Sequence, residues 1–144
     1  MGKRRVSKMS GGGGDRGRRE RALSKLPKKK LDKAVVYIDS TFNNTRVSLA
    51  DQKGGIVSWS SSGSMGFSGT RKGTPFAAAK VGELIGDKAL TIGVKEAEVF
   101  VKGVGPGRES ALRSFAGKGI QINAIHDLTP VPHNGPRPRK PRRV

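Results

Sequence analysis

The chain has 144 residues, enough for one compact domain with tails and too few for two ordinary domains. Its 29 Lys and Arg against 11 Asp and Glu give a formal charge of +18, more than solubility requires, which indicates a polyanionic partner. The lack of cysteine excludes disulfides, thiolate zinc sites and cysteine nucleophiles.

Residues 1–33 form a basic, glycine-rich arm with 13 basic and 3 acidic side chains and almost nothing to bury. In isolation this arm is predicted to be disordered. A linker or solubilising tail has a similar composition, but the density of arginine favours an arm that contacts RNA. No apolar run reaches the roughly 20 residues of a membrane span, and the N-terminus lacks a secretory leader. We therefore expect a soluble cytosolic protein that binds no membrane.

From residue 34 the pattern predicts a three-stranded antiparallel meander. The β-branched run "AVVYIDS" and the alternating runs "TRVSLAD" and "GIVSWSS" are strands, and "TFNN" and "DQKGG" have the composition of turns between them. Residues 61–73 are too rich in Gly and Ser for a regular element. They are predicted to form a loop that presents Arg71 and Lys72.

Two helices and two further strands follow in alternation. Thr74 is the predicted N-cap and Pro75 the first-turn residue of a helix that runs until near Gly93, and close packing would explain its internal Gly82. "EAEVFVKG" and "IQINAIHD" are the fourth and fifth strands, with a second helix between them. Right-handed crossovers make strands one, four and five parallel, with the helices covering the sheet. Residues 34–129 are therefore the predicted α/β body.

The glycine-rich turn "VKGVGPGRES" has the spacing of a nucleotide-binding loop. Counted from Gly103 or from Gly105, however, the third glycine of the dinucleotide fingerprint is missing. Asp127 stands where a ribose-binding acid is expected, but the chain ends too soon after it to build the second half of the crevice. A Walker loop fails as well, because Leu112 replaces its first glycine and no Ser or Thr follows Lys118. We expect no cofactor.

The same turn is suited to a phosphate group instead. Gly105 and Gly107 let the backbone approach a ligand closely, and the helix that starts at Arg108 offers free N–H groups and the positive end of its dipole. The alternative is that Glu109 satisfies these N–H groups itself. A ligand would also meet Ser110 and Arg113, opposite a predicted buried stripe of Leu112, Phe115 and Ala116.

A metal-dependent nuclease is the alternative from another functional class, because the order of strands and helices is also that of ribonuclease H-like enzymes. Such enzymes hold two metal ions about 4 Å apart with carboxylates. Asp39, Glu83 and Glu98 are the only candidates, and nothing in their spacing indicates that they converge. His126 and His133 lack a ligand cluster and are interpreted as packing or RNA-stacking groups. We expect neither catalysis nor a metal site.

With one Trp, one Tyr and five Phe, the chain is also not expected to form the aromatic platform of a single-strand binder. A nonspecific nucleic-acid compaction protein is a third interpretation of the charge. Residues 130–144 hold too much proline and arginine to fold alone, and this tail is predicted to extend along a partner.

Four long motifs together resemble one family. The segments "DSTFNNTRVSLAD", "SWSSSGSMGFSGTRKGTPFAAAKV", "VKGVGPGRESALRSFAGKGIQINAIHDLTPVPHNG" and "RPRKPRRV" are similar to the bacterial-type small-subunit ribosomal protein S-eleven, over about residues 35–144. The resemblance implies a ribonuclease H-like three-layer α/β sandwich with a mixed five-stranded sheet in the order β-β-β-α-β-α-β, without catalysis. It also implies a place on the platform of the small subunit, where the protein binds ribosomal RNA helices and borders the cleft for the messenger's Shine–Dalgarno pairing.

The resemblance also implies partners and contact residues. The neighbours are messenger RNA, platform proteins seven and eighteen and the third initiation factor, and no homo-oligomer is expected. The arm before Leu31 and the prolines Pro136 and Pro141 depart from the family pattern, so contacts by residues 1–30 have no support from it. The predicted RNA-facing residues are Arg71, Lys72, Gly105, Gly107, Arg108, Ser110, Arg113, His133, Asn134, Arg137, Arg139, Lys140, Arg142 and Arg143.

One pair in the tail carries a separate chemical prediction. Asn134 precedes Gly135, whose unhindered nitrogen can attack the side-chain amide of the asparagine, and we predict slow formation of isoaspartate at Asn134. The alternative is that "HNG" is simply a turn.

Overall fold

The computed structural model describes residues 29–143 together with residues 17, 20, 21, 24 and 26. The predicted disorder of the N-terminal arm, and most of its predicted contacts with RNA, therefore lie outside the described residues. The elements are β1 (Lys33–Ser40), β2 (Thr45–Ala50), β3 (Ile56–Ser61), a 3₁₀ helix (Gly69–Gly73), α1 (Pro75–Ile92), β4 (Glu96–Lys102), α2 (Arg108–Ala116) and β5 (Gln121–Asp127).

The five strands form one mixed sheet in the order β3-β2-β1-β4-β5. β2 is antiparallel to β1 and to β3, whereas β4 is parallel to β1 and to β5. In the middle of the sheet, Tyr37 lies opposite Ser48 on β2 and Phe100 on β4. This arrangement confirms the α/β class, the predicted order of elements and the parallel relation of strands one, four and five.

Both helices cover the same face of the sheet. Alternate residues of the central strands, such as Ile38, Leu49 and Val99, are completely buried beneath them. α1 and α2 also pack on each other, where Gly82 lies against the backbone of Ala111, so closely that a Cβ at Gly82 would come 3.2 Å from the Ala111 Cα. Two right-handed crossovers that run in the same direction across a sheet place their helices on one face. The described residues therefore form two layers, one fewer than the predicted three-layer sandwich.

The packing of α2 corrects the predicted buried stripe. Phe115 is fully buried as predicted, but Ala111 shares its face, one helical turn away, whereas Leu112 and Ala116 are only partly buried. The reason is the close approach to α1, since Gly82 lies against the backbone of Ala111 and so places Ala111 in the contact between the two helices. Sequence spacing alone did not specify which part of this short helix meets its neighbour.

Local capping sets the ends of α1. The Oγ1 atom of Thr74 accepts a 3.3 Å hydrogen bond from the N–H of Ala77, and Pro75 occupies the first turn. Gly93, with φ of 99°, ends the helix in the left-handed conformation. These contacts confirm the predicted start and end. None of the helices in the described part of the chain is long and apolar enough to cross a membrane.

The segment that precedes β1 is attached to the body. Leu26 and Leu31 pack against the hydrophobic core, and Lys29 Nζ lies 2.7 Å from Asp51 Oδ2. The carbonyl of Asp32 accepts hydrogen bonds from two backbone N–H groups that lead into β4. The last part of the predicted arm therefore contributes to the packing of the sheet.

Candidate nucleic-acid interface

One edge of the sheet brings together the starting points of the segments that carry the residues predicted to face RNA. β1, β3, β4 and β5 all run in the same direction, because β1 and β3 are each antiparallel to β2. Their carboxyl ends therefore meet at one edge. We call this edge, with the segments 41–44, 62–74 and 103–107 and the start of the tail after Asp127, the loop edge. It brings the basic loop, the glycine turn and the tail to the same end of the molecule.

The turn between β1 and β2 holds the loop edge together. Thr41 and Asn44 close this turn, since the Thr41 N–H donates to the Asn44 carbonyl at 2.8 Å and the Asn44 N–H donates to Thr41 Oγ1 at 3.1 Å. On one side Gly73 lies against the carbonyl group of Phe42. On the other side the N–H of Gly105 donates to the carbonyl of Ser40 at 3.1 Å. The basic loop and the glycine turn are thus both anchored on residues 40–44.

Packing inside the protein explains why the glycine turn between β4 and α2 has glycine at positions 105 and 107. A Cβ on Gly105 would come 2.7 Å from the carbonyl carbon of Thr41, and one on Gly107 would come 2.5 Å from both Thr45 Oγ1 and Ala78 Cβ. Such distances are too short for real side chains. Both positions therefore require glycine for their contact with the rest of the body, which differs from the predicted reason, a close approach to a phosphate.

A shallow cavity of about 290 Å³ opens at the N-terminus of α2 and is the place where the predicted turn and helix residues meet. Within the described part of the chain no side chain caps this terminus. The Arg108 N–H donates to the Gly105 carbonyl at 3.4 Å, and regular helical bonding begins with the N–H of Ala111. The N–H groups of the intervening first turn remain available to a ligand. The cavity is lined by Gly105, Pro106, Arg108, Glu109, Ser110 and Arg113.

The guanidinium of Arg108 turns towards the start of the tail. Its Nη2 donates to Asp127 Oδ2 at 2.6 Å, and its Nη1 donates to the carbonyl of Gly103 at 2.7 Å and to Thr129 Oγ1 at 3.1 Å. The second carboxylate oxygen of Asp127 accepts from the Thr129 hydroxyl at 2.6 Å and from the Thr129 N–H at 2.9 Å. The N–H of Gly103 donates to Thr129 Oγ1 at 3.2 Å. We call these four residues the tail-root network.

This network stabilises the ionised form of Asp127. Hydrogen bonds from the Thr129 hydroxyl, from Arg108 and from the Thr129 N–H hold the pKa of the Asp127 carboxyl far below its usual range. Asp127 was considered above as a ribose-binding acid. In the structure its carboxylate binds protein groups instead, at the point where β5 becomes the tail.

The basic loop is ordered by the cap of the following helix. Arg71 and Lys72 lie in the last turn of the 3₁₀ helix, where Arg71 is exposed and Lys72 is half-buried. The carbonyl of Arg71 accepts from the N–H of Thr74 at 3.3 Å and from its hydroxyl at 2.7 Å. Thr74 therefore ends the 3₁₀ helix and starts α1. In the tail, the predicted residues from His133 to Arg143 are all exposed and have no helix or strand.

The carboxylates considered for a nuclease do not converge. Asp39 and Glu98 share the uncovered face of the sheet, but Glu98 lies opposite Val35, four residues from Asp39 and so about 13 Å along the strand. Glu83 is on α1, in the other layer, and its carboxylate lies 3.2 Å from Lys80 Nζ. The described residues contain no group of three side chains that could hold a metal ion.

The comparisons with known proteins identify the family of the chain. The family model "Ribosomal protein S11" matches residues 34–143 of the chain. The chain belongs to the ribosomal protein S11 family. Over 128 residues it is 50% identical to the small ribosomal subunit protein uS11 of Thermotoga maritima, with 88% of this chain and 98% of the relative covered. Over 126 residues it is 49% identical to the protein of the same name from Solibacter usitatus, with 88% and 93% covered.

Membership of the S11 family establishes the general role of the chain. It is a structural constituent of the small ribosomal subunit, located in the ribosome of the cytoplasm, and not an enzyme. Its partners are accordingly ribosomal RNA and other ribosomal proteins. The expected family and the non-catalytic role are confirmed.

The structure of this S11-family chain reveals one exposed ring that sequence reasoning missed. Phe42 lies in the turn between β1 and β2, at the centre of the loop edge, and is 74% exposed. The signal in the sequence is a large aromatic residue inside the turn-forming "TFNN", where nothing requires an apolar side chain.

Other aromatic rings of the chain form a row on the uncovered face of the sheet. Tyr37, Phe100 and His126 occupy neighbouring strands and stack, with ring centroids 5.4 Å and 4.8 Å apart. Trp59 continues the row beyond Ser48, and the guanidinium of Arg46 lies 4.9 Å from its ring centroid. His126 was interpreted either as a packing group or as an RNA-stacking group. Its stacking on Phe100 fits the packing role.

Proposed function

We propose that the chain binds ribosomal RNA on the platform of the small subunit, bridges RNA helices there, and borders the cleft for the Shine–Dalgarno pairing of messenger RNA. One observation carries this proposal: the sheet topology gathers the basic loop, the N-terminus of α2 and the tail at the loop edge. Basic segments presented together by a rigid sheet can contact several backbone phosphates at once. The body then positions the RNA and the loops make the contacts.

The N-terminus of α2 is proposed to hold one phosphate. Its first-turn N–H groups point towards an anion, and the helix dipole contributes about 0.3 to 1 kcal/mol at an exposed site. Ser110 and Arg113 line the same cavity. A guanidinium has five N–H donors, and the described residues use three of those of Arg108, so that two remain for a phosphate oxygen.

The tail is proposed to lie in grooves between RNA segments. Residues 130–143 are exposed, and their prolines favour an extended chain that cannot fold back on itself. Five basic side chains in this segment supply the charge for phosphate contacts. The proposed contact residues are His133, Asn134, Arg137, Arg139, Lys140, Arg142 and Arg143.

The ring of Phe42 is proposed to stack on an unpaired base of the same RNA. The turn that carries it is closed by hydrogen bonds and anchored on both sides, so little backbone freedom is lost on binding. Sequence-tolerant stacking on aromatic rings contributes about 1 to 3 kcal/mol per base. Phe42 would thereby add an apolar contact to a surface that otherwise binds phosphates.

The proposed protein neighbours are the platform proteins seven and eighteen, with the third initiation factor and messenger RNA close by. These proposals come from the family resemblance. Cross-linking of the chain to each candidate within assembled small subunits tests them individually, since only proteins that lie next to the chain become linked to it.

The binding function is tested by the salt dependence of affinity. If about ten phosphates are neutralised, log affinity for small-subunit ribosomal RNA falls with log salt concentration with a slope of about −7 to −9 in a filter-binding titration. A slope near zero would contradict the proposal. Competition with duplex DNA in the same assay separates specific binding to structured RNA from nonspecific compaction, since a compaction protein binds both equally. Cleavage of the RNA that depends on magnesium and is lost in Asp39→Asn would support the nuclease alternative.

A further inference from the structure

We propose that the tail-root network is a latch that sets the direction in which the C-terminal tail leaves the sheet, and that Asp127 is a positioning residue for RNA binding by that tail. This inference rests on the proposed function of the tail. Asp127 need not touch RNA in this account. It acts through Thr129 and through the residues that follow.

Three residues of the network form hydrogen bonds with Thr129 at the start of the tail. The hydroxyl of Thr129 accepts from Gly103 and from Arg108 and donates to Asp127, so that all of its bonding capacity is used. The N–H of Leu128 also donates to the carbonyl of Val101 at 2.8 Å. The path of the chain is therefore defined as far as residue 129.

Beyond Thr129 the tail has no comparable support. Residues 130–143 are almost entirely exposed and contain no helix or strand. They make no hydrogen bond or ion pair with the rest of the described chain. Whatever direction the tail takes on leaving the body is consequently set at the tail-root network.

The network also joins the two proposed contacts with RNA. Arg108 is the first residue of α2 and lines the cavity at its N-terminus, while its guanidinium binds Asp127 and Thr129 at the start of the tail. A fixed relation between two binding segments raises the effective concentration of the second once the first is bound. Pre-ordering also reduces the entropy that the tail loses when it binds.

The direction in which the substitution Asp127→Asn changes the affinity for RNA distinguishes a positioning role from a purely electrostatic effect. Asp127→Asn has nearly the same shape but replaces one carboxylate oxygen with an N–H₂ group, which cannot accept from Arg108 or Thr129. Loss of a negative charge should by itself strengthen binding to RNA. The latch predicts the opposite, that binding to small-subunit ribosomal RNA weakens about tenfold. Asp39→Asn is the matched control, because Asp39 is an exposed carboxylate on β1 outside the network.

The deciding experiment is a double-mutant cycle in the full-length chain. A second variant replaces the five basic residues of the tail with glutamine, and Asp127→Asn is introduced into the normal chain and into this neutral-tail chain. We expect the tenfold loss in the normal chain and less than a twofold effect in the neutral-tail chain. Thr129→Val, which removes the bridging hydroxyl, should repeat the pattern, and circular dichroism establishes that each variant is folded.

The outcomes separate the two proposals. If the neutral-tail chain binds RNA as tightly as the normal chain, the proposed function of the tail is wrong. If the neutral tail weakens binding but Asp127→Asn has no effect, or has the same effect in both chains, the latch is wrong. Hydrogen exchange at the amides of Leu128 and Thr129 gives a readout without RNA, since loss of the latch should expose the amide of Thr129.

Discussion

Gly105 and Ser40 are joined by a 3.1 Å hydrogen bond from the N–H of the glycine to the carbonyl oxygen of the serine, which ties the β4–α2 turn to the end of β1. A Cβ at position 105 would come 2.7 Å from the Thr41 carbonyl carbon. We therefore expect Gly105→Ala to lower the free energy of unfolding by about 1 to 3 kcal/mol, because the backbone must shift to remove the clash. Urea denaturation measures this change.

Gly117→Ala is the control for this prediction. Gly117 has φ of −61°, and its nearest contacts leave ordinary space for a Cβ, so alanine should leave stability unchanged or raise it slightly. Equal stability losses in the two variants would show that close packing at the loop edge is not what requires Gly105.

The basic loop should contribute to the salt dependence of RNA binding. If Arg71 and Lys72 each contact one phosphate, replacement of both by glutamine should reduce the magnitude of the slope by about 1.4 to 1.8 and weaken binding at low salt. The matched control replaces Lys53 and Lys95, two exposed cations at the opposite edge of the sheet, with glutamine. An equal change of slope in both double variants would mean that binding depends on net charge and not on the loop edge.

Stacking on Phe42 predicts a loss of affinity without a loss of stability. Phe42→Ala should weaken binding to small-subunit ribosomal RNA by about 1 to 3 kcal/mol, whereas Phe42→Trp should retain it, since a larger ring stacks equally well. Because the side chain is 74% exposed, the melting temperature should not change. Ile56→Ala, at an exposed apolar residue of the far edge, is the control. Equal affinities of the alanine and tryptophan variants would exclude stacking.

The ionisation of Asp127 predicts how stability depends on pH. Its pKa is lowered in the folded chain, so the network stabilises the fold above the unfolded-state pKa of about 3.9, and this contribution is lost as the pH falls towards the folded-state pKa. The unfolding free energies of the wild-type chain and Asp127→Asn should differ at pH 6, and this difference should start to shrink below about pH 4 and shrink further as the pH falls towards the folded-state pKa. Urea titrations across this range measure the difference, and a gap that stays constant down to pH 2 would contradict the assignment.

The Asn134–Gly135 pair should change chemically with age. Asn134 is exposed and has φ of 59°, a left-handed conformation that also fits the predicted turn. Attack by the Gly135 nitrogen expels ammonia and forms a succinimide, which water opens to isoaspartate. Peptide mapping after prolonged incubation should detect isoaspartate at Asn134 but not at Asn123, an exposed asparagine followed by alanine. A map in which both asparagines remain intact would reject the prediction.

Much of the candidate interface could be predicted because the sequence features that indicate it, helix-capping residues and clusters of charge, involve residues that are close together in the chain. Thr74 and Pro75 mark a helix start wherever the helix packs, and the charge of the loop and tail can be read directly from the sequence. The role of Arg108 could not be predicted, since its partner Asp127 lies 19 residues away and meets it only when β5 pairs with β4. For the same reason, the aromatic row unites rings from four strands that spacing along the chain does not connect.

By itself the sequence determined the α/β class, the order of the elements, the ends of α1 and a polyanionic partner, because periodicity, capping and net charge act within a few residues or as simple sums. The tertiary structure decided which face the helices cover, why Gly105 and Gly107 have no side chain, and that Ala111 is buried where Ala116 was predicted. It also decided that Asp127 binds Arg108 and Thr129. These features depend on distances between segments far apart in sequence, and only the pairing of strands and the packing of helices determine such distances.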